Sequence, residues 1–115
     1  MVYIAHPLTS FGNPGLNYQR VTKICQEIVV KYPHIVPISP IHAFKFFPWE
    51  GSQERVMECC IKLLLSCEEL WLFGQWESSS GCREEIKAAH KACMPILVKE
   101  ASQSSLLKHI KAEQQ

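Results

Sequence analysis

The sequence predicts an α/β fold: a small doubly wound, Rossmann- or flavodoxin-like three-layer sandwich around a parallel sheet of about four strands. Three observations predict it. Short apolar runs alternate with segments of helical period in units of about 30 residues, the length of a βαβ crossover. The apolar runs are continuous rather than alternating, as strands are when helices cover both faces of their sheet. The length of 115 residues, 47% of them hydrophobic and 20% charged, suits one domain with an ordinary core. Residues 1–115 therefore read as a single domain.

The elements follow in order. Val2-Tyr3-Ile4-Ala5 is the first strand and stops at His6-Pro7. Residues 7–15, rich in Pro, Gly, Ser and Asn, read as a loop. From Leu16 the period changes: Val21, Ile24, Cys25, Ile28 and Val29 recur at three and four, the mark of an amphipathic helix. Ile35-Val36-Pro37-Ile38 is the second strand, ended by Ser39-Pro40. Residues 41–51 fit no period, and Phe44, Phe46, Phe47 and Trp49 crowd there with Pro48 and Gly51. A helix from about Ser52 to Ser66 turns Val56, Cys59, Cys60, Leu63 and Leu64 inward. Leu70-Trp71-Leu72-Phe73 is a strand ended by Gly74. A Ser-rich loop over 75–81 leads into a helix from about Cys82 to Ala92. Pro95-Ile96-Leu97-Val98 is the fourth strand, and Leu106, Leu107 and Ile110 give a closing helix over about Ser105–Ala112 its apolar side.

Composition narrows the function. The net charge of +1, from 12 basic and 11 acidic residues spread along the chain, leaves no electrostatic footprint for a nucleic acid polymer. No apolar run approaches the roughly 20 residues of a bilayer span, since Lys62, Ser66 and Glu68 interrupt the longest patches. With a strand starting at Val2 there is no room for a leader, so the expectation is a soluble cytoplasmic protein without membrane partners. The six cysteines show neither C-x-x-C spacing nor an accompanying His-x-x-x-His pair, so no metal is expected. They read as reduced thiols, mostly at apolar helix positions. Neither G-x-G-x-x-G nor a P-loop is present, and no cofactor is expected.

In open α/β sheets the ligand lies beyond the carboxyl ends of the strands. Three loops therefore matter, over 6–15, 39–51 and 74–81. Beside the last, Glu85 is a carboxylate on the wrong face. Cys82 lies three before it and Ala89, Ala92 and Cys93 lie four, seven and eight after, so it shares the small apolar stripe that packs on the sheet. A charge there is costly unless something holds it, and the helix N-terminus favours an anion. The alternative is a capping or rim carboxylate that reaches solvent. Ser78-Ser79-Ser80-Gly81 offers hydroxyls and backbone N–H groups at that N-terminus, a phosphate cradle or an ordinary helix cap. His6 and His42 at the sheet's carboxyl edge could donate to a phosphate or be turn histidines. Arg20 could reach the same group or cover the first helix. The Phe44–Trp49 stretch could stack a nucleobase or meet another subunit.

Tyr3-Ile4-Ala5-His6-Pro7, Cys67-Glu68-Glu69-Leu70-Trp71-Leu72-Phe73-Gly74 and Ser80-Gly81-Cys82-Arg83-Glu84-Glu85-Ile86, with Ala89 and Pro95-Ile96, resemble the nucleoside 2-deoxyribosyltransferase-like superfamily. The nearest likeness is to its short bacterial and phage branch, which Asn17, Arg20, Pro40 and His42 also fit. The resemblance implies Glu85 as nucleophile on the anomeric carbon of a nucleoside or nucleotide, and Tyr3 as its orienting group. Ser79 stands where the transferases carry an aspartate; it is similar to the serine of the nucleotide N-hydrolases, which meets a 5′-phosphate, with Ser80 and Gly81 beside it. Counting back to the family's base-contacting aspartate lands on Cys60, with Glu58 the nearest carboxylate. The resemblance also implies a homodimer or larger assembly. The expected function is a nucleoside or nucleotide N-glycosidase or deoxyribosyltransferase. The alternatives are a non-catalytic nucleotide-binding module, acting as sensor or sponge for a signalling nucleotide, and an interaction protein using its aromatic loop.

Overall fold

A computed structural model describes residues 1–8, 14–47 and 53–99. In chain order these form β1 (Val2–Ala5), α1 (Pro14–Lys31), β2 (Pro37–Ile38), α2 (Pro40–Ala43), α3 (Gln53–Leu65), β3 (Glu69–Leu72), a 3-10 turn (Trp76–Ser78), α4 (Ser80–Lys91) and β4 (Ile96–Val98). The four strands make one sheet in the order β2-β1-β3-β4, every pair parallel. The fold is the expected small doubly wound α/β sandwich.

Alternation along the two central strands builds the layers. Tyr3 and Ala5 of β1, with Leu70 and Leu72 of β3, pack on Cys60 and Leu64 of α3 and on Cys82 and Ala89 of α4. Val2 and Ile4 point the other way, with Trp71 and Phe73, against Val21 and Ile28 of α1. Both sets are apolar, so the period of two is invisible in the sequence. The connection through α1 leads from β1 outward to β2, and the return through α3 passes β1 on the opposite face to reach β3. The winding direction thus reverses between β1 and β3, the two strands in register from Val2↔Glu69 to Ala5↔Leu72. That reversal opens a crevice at their carboxyl ends.

Several boundaries differ from the sequence reading for local reasons. Of the expected strand Ile35–Ile38, only Pro37 and Ile38 pair, at the sheet edge where proline's missing N–H is tolerated. Ser39-Pro40 ends that strand but also begins α2: the Ser39 hydroxyl accepts the His42 N–H at 3.3 Å, and Pro40 opens the first turn. Part of the stretch that fits no period is therefore helical. In α4 the start lies at Ser80 rather than Cys82, because Ser79 is the cap, and residues 76–78 of the Ser-rich loop form a 3-10 turn. The expected stripe beside Glu85 stops at Ala89, since Ala92 and Cys93 lie past the helix end and are exposed. Val29, expected inward on α1, is 52% exposed. All six cysteines are free thiols; Cys60, Cys67 and Cys82 are buried, and Cys93 is exposed. Trp49, Pro48, Gly51 and the expected closing helix lie outside the described residues. Among the described residues no helix is long and apolar enough to cross a membrane.

The C-terminus of α4 carries a testable strain. Met94 N–H bonds the Ala89 carbonyl at 2.9 Å and Cys93 N–H bonds that of His90 at 3.1 Å, a Schellman closure. The residue that turns the chain there is Cys93, with φ +56°, a left-handed position that favours glycine. Cys93→Gly is expected to raise stability by about 1 kcal/mol in chemical denaturation.

Candidate functional site

At the crevice the structure has a cavity of about 740 Å³, within the range of small-ligand sites. Each wall comes from a different element. His6 and Leu8 follow β1, Tyr18 stands on α1, and Ile41, Phe44 and Phe47 come from α2 and the turn after it. Met57 and Cys60 come from α3; Ser79, Ser80, Gly81, Cys82 and Glu85 come from the start of α4.

Glu85 is the buried carboxyl of this cavity, 5% exposed. It is directed inward by helical spacing, with Cys82 and Ala89 on the same buried stripe of α4. The fully buried Tyr3 of β1 faces it across the layer and its hydroxyl donates to Glu85 Oε2. Burial pushes the Glu85 carboxyl up to about 7, against the opposing pull of the Tyr3 hydrogen bond. Because α4 begins at Ser80, Glu85 lies in its second turn, past the first. The favour of a helix N-terminus for an anion fades beyond the first turn. Tyr3 is left as the hydrogen-bond donor that holds the charge.

Tyr3 keeps its proton, since burial foremost and the Glu85 charge next drive its pKa far upward. That single proton goes to Glu85. Cys60 of α3 packs beside Tyr3 in the same core. Cys60 and Cys82 are each pushed up to about 12, by burial first and the Glu85 charge second, so both thiols stay protonated.

The two central strand ends touch through His6 and Gly74. His6 Nδ1 donates to the Pro7 carbonyl at 2.6 Å, and its ring lies against Gly74. Gly74 has φ +67°, and a Cβ on it would stand 2.9 Å from His6 Nε2. On the other side Ser79 is buried, and its hydroxyl oxygen accepts the Cys82 N–H at 3.2 Å, leaving its proton to donate. Ser80 is exposed and Gly81 half-buried beside it.

Of the residues singled out in the sequence, Glu85, Tyr3, His6, Ser79, Ser80 and Gly81 come together here. Arg20, His42 and Glu58 do not line the cavity. Arg20 is exposed on α1 and Glu58 is exposed on α3. His42 works as a clamp between α1 and α2. Thr22 Oγ1 donates to the Tyr18 carbonyl at 2.9 Å, so it accepts from His42 Nε2 at 2.7 Å. His42 Nδ1 then accepts from the Ser39 hydroxyl at 2.6 Å. This neutral tautomer agrees with the downward shift of His42, caused by burial and then by Lys45. Sequence reasoning missed Glu54, one helical turn before Glu58, and Lys45, which stands over the Tyr18 ring at 4.4 Å; both line the cavity. The helical period would have favoured Glu54 only once the facing of α3 was known.

The fold and this crevice define a doubly wound α/β protein with a buried carboxyl at its topological switch point. The chain belongs to the family described as domain of unknown function (DUF4406), whose family model matches residues 1–98. No curated protein and no solved structure matches the chain.

Two outcomes test this geometry. The folded protein holds a Glu85 proton up to about 7, while an unfolded glutamate loses it near 4.5. Below the lower value both states are protonated; as pH rises between the two, the folded state binds more protons and stability falls. Wild type is expected to lose about 3 kcal/mol over this interval relative to Glu85→Gln, in urea titrations at several pH values. Gly74→Ala should cost about 1–3 kcal/mol through its left-handed φ and displace His6, visible as a shifted imidazole NMR resonance.

Proposed function

We propose that the protein is an N-glycosidase or deoxyribosyltransferase-like enzyme acting on nucleosides or nucleotides, with Glu85 as nucleophile. The observation that carries this reading is the buried Glu85 carboxyl bordering an apolar-walled cavity with the Tyr3 hydroxyl on one of its oxygens. A surface or capping carboxylate has no need of either. The resemblance to the deoxyribosyltransferase-like superfamily supports the same roles for the same two residues.

In this reading the ionised Glu85 attacks the anomeric carbon as the C–N bond to the base breaks, forming a glycosyl ester and releasing the base with the bonding pair. Water, or a second base, then displaces the carboxylate from that carbon. Tyr3 holds the carboxylate in one orientation and stabilises its charge before attack and after release. Ser79 and the N-terminal N–H groups of α4 offer donors to the sugar or to a 5′-phosphate. Phe44 and Phe47 give an aromatic wall for the base.

The test is base release from a panel of nucleosides and nucleotides, followed by chromatography alongside binding calorimetry. Glu85→Gln is expected to reduce release by about a thousand-fold or more while leaving binding in place. Tyr3→Phe should reduce kcat about 10- to 100-fold, the value of one hydrogen bond to a charged group. Because the nucleophile must be ionised, wild-type kcat/KM should rise with pH through about 7, and Tyr3→Phe should move that rise to higher pH. Tight binding without turnover, unchanged in Glu85→Gln, would establish the non-catalytic nucleotide-binding module instead.

A further inference from the structure

Resting on the glycosidase reading above, we propose that the substrate is an N-glycoside of a cationic heterocycle, of the pyridinium or N-alkylated purinium type. It would be held between the aromatic wall and a buried carboxyl in a cavity whose described lining contains no buried lysine or arginine.

Charge is the first argument. The described carboxylates of the lining are Glu54, Glu84 and Glu85, and the lysine or arginine among them is Lys45 alone, which is exposed. Glu84 is engaged with Lys87 at 3.5 Å on the outer face of α4. An anionic group placed deep in this cavity meets Glu85 with no buried lysine or arginine among the described lining residues, only the buried His6 imidazole, whose Nδ1 is engaged with the Pro7 carbonyl. A cation meets a carboxyl partner. The aromatic side chains at the rim already draw cations: Lys45 lies over Tyr18, and the Arg55 guanidinium stands 5.9 Å from the centre of the Phe47 ring.

The leaving group is the second. A neutral nucleoside sheds its base readily only when a proton reaches that base. Cys60 occupies the place that the resemblance gives to a carboxylate there, its thiol turned to Tyr3 and tightly holding its proton. Glu54 and Glu84 stand exposed to water at the mouth. A cationic ring needs no donor. As the Glu85 oxygen bonds C1′, the C1′–N bond breaks, its electron pair neutralises the ring nitrogen, and the base leaves uncharged. Water then adds its hydroxyl to C1′ and gives up its proton to solvent, and Glu85 returns as carboxylate.

The third is the state of the nucleophile. The buried His6 after β1 lines the same cavity, with its ring against Gly74 and its Nδ1 on the Pro7 carbonyl. The titratable groups acting on Glu85 are Tyr3 from β1, Cys60 from α3 and Cys82 on α4, none of which brings a positive charge. A cationic ring supplies it, expelling the Glu85 proton and creating the nucleophile on binding. An anion would do the opposite.

The experiment uses the full chain and two pairs of probes. In the first, 1-methylnicotinamide, a cation, is compared with neutral nicotinamide by calorimetry just below pH 7 in buffers of different ionisation enthalpy. The cation should bind about tenfold tighter or more and release protons, and Glu85→Gln should abolish the release. In the second, nicotinamide riboside is compared with inosine and uridine. Nicotinamide release should exceed base release in kcat/KM by about a hundred-fold or more, with one proton freed per turnover in a pH-stat and loss in Glu85→Gln. Equal binding of the neutral and cationic rings, or Glu85-dependent cleavage of inosine or uridine at the same or a higher rate, overturns the cationic substrate and leaves the glycosidase reading standing. Absence of Glu85-dependent cleavage with every nucleoside and nucleotide overturns both.

Discussion

The hydrogen bond from Tyr3 to Glu85 joins the centre of the sheet to the α4 layer, and the rest of the site is arranged around it. A carboxyl buried to 5% exposure must either find donors or keep its proton. Here one phenol supplies the described bond, and the result is a group poised near neutrality rather than a fixed charge. Such poise has no value to a structural residue, for which a leucine of similar volume would pack at no electrostatic cost. It has value where a carboxylate must be generated in contact with a bound ring or sugar.

The fold makes this pairing possible because β1 lies at the winding reversal. Tyr3 belongs to the most buried strand, its neighbours Ile4 and Ala5 wholly covered. A tyrosine in such a strand cannot move its ring without displacing Cys60 and Leu72 of the same core. The phenol oxygen is consequently fixed by packing, and its proton is directed to Glu85. His6 and Gly74 close the same crevice where β1 and β3 end; the glycine is required there both by its left-handed φ and by the imidazole on its face.

Much of this was legible in the sequence. The strand positions follow from continuous apolar runs, and Glu85 stood out because a carboxylate among Cys82 and Ala89 breaks a small apolar stripe. What was not legible depends on local hydrogen bonds that pattern does not encode. Ser39 and Ser79 each act as a helix cap, and each shifted an element boundary. Arg20 and Glu58 carry the right chemistry on the wrong face of their helices. His42 has the right place but spends both ring nitrogens on Thr22 and Ser39. Lys45 and Glu54 carry no pattern of their own, and only the closing of α2 and α3 over the crevice gives them meaning.

The early start of α4 connects these points. Had the helix begun at Cys82, Glu85 would stand at the edge of its first turn, where unpaired N–H groups favour an anion by about 1 kcal/mol, and the carboxyl would be drawn part of the way back toward its ionised form. With Ser79 as cap and Ser80 as first residue, those N–H groups lie a turn away, beside the cavity rather than beside Glu85. The chain thereby separates two electrostatic tasks. In the proposed function the helix start, lined by Ser79, Ser80 and Gly81, serves a donor-seeking part of the ligand. In the same proposal the carboxyl one turn further in answers to the charge of the ring bound against it, with Tyr3 as its hydrogen-bonding support.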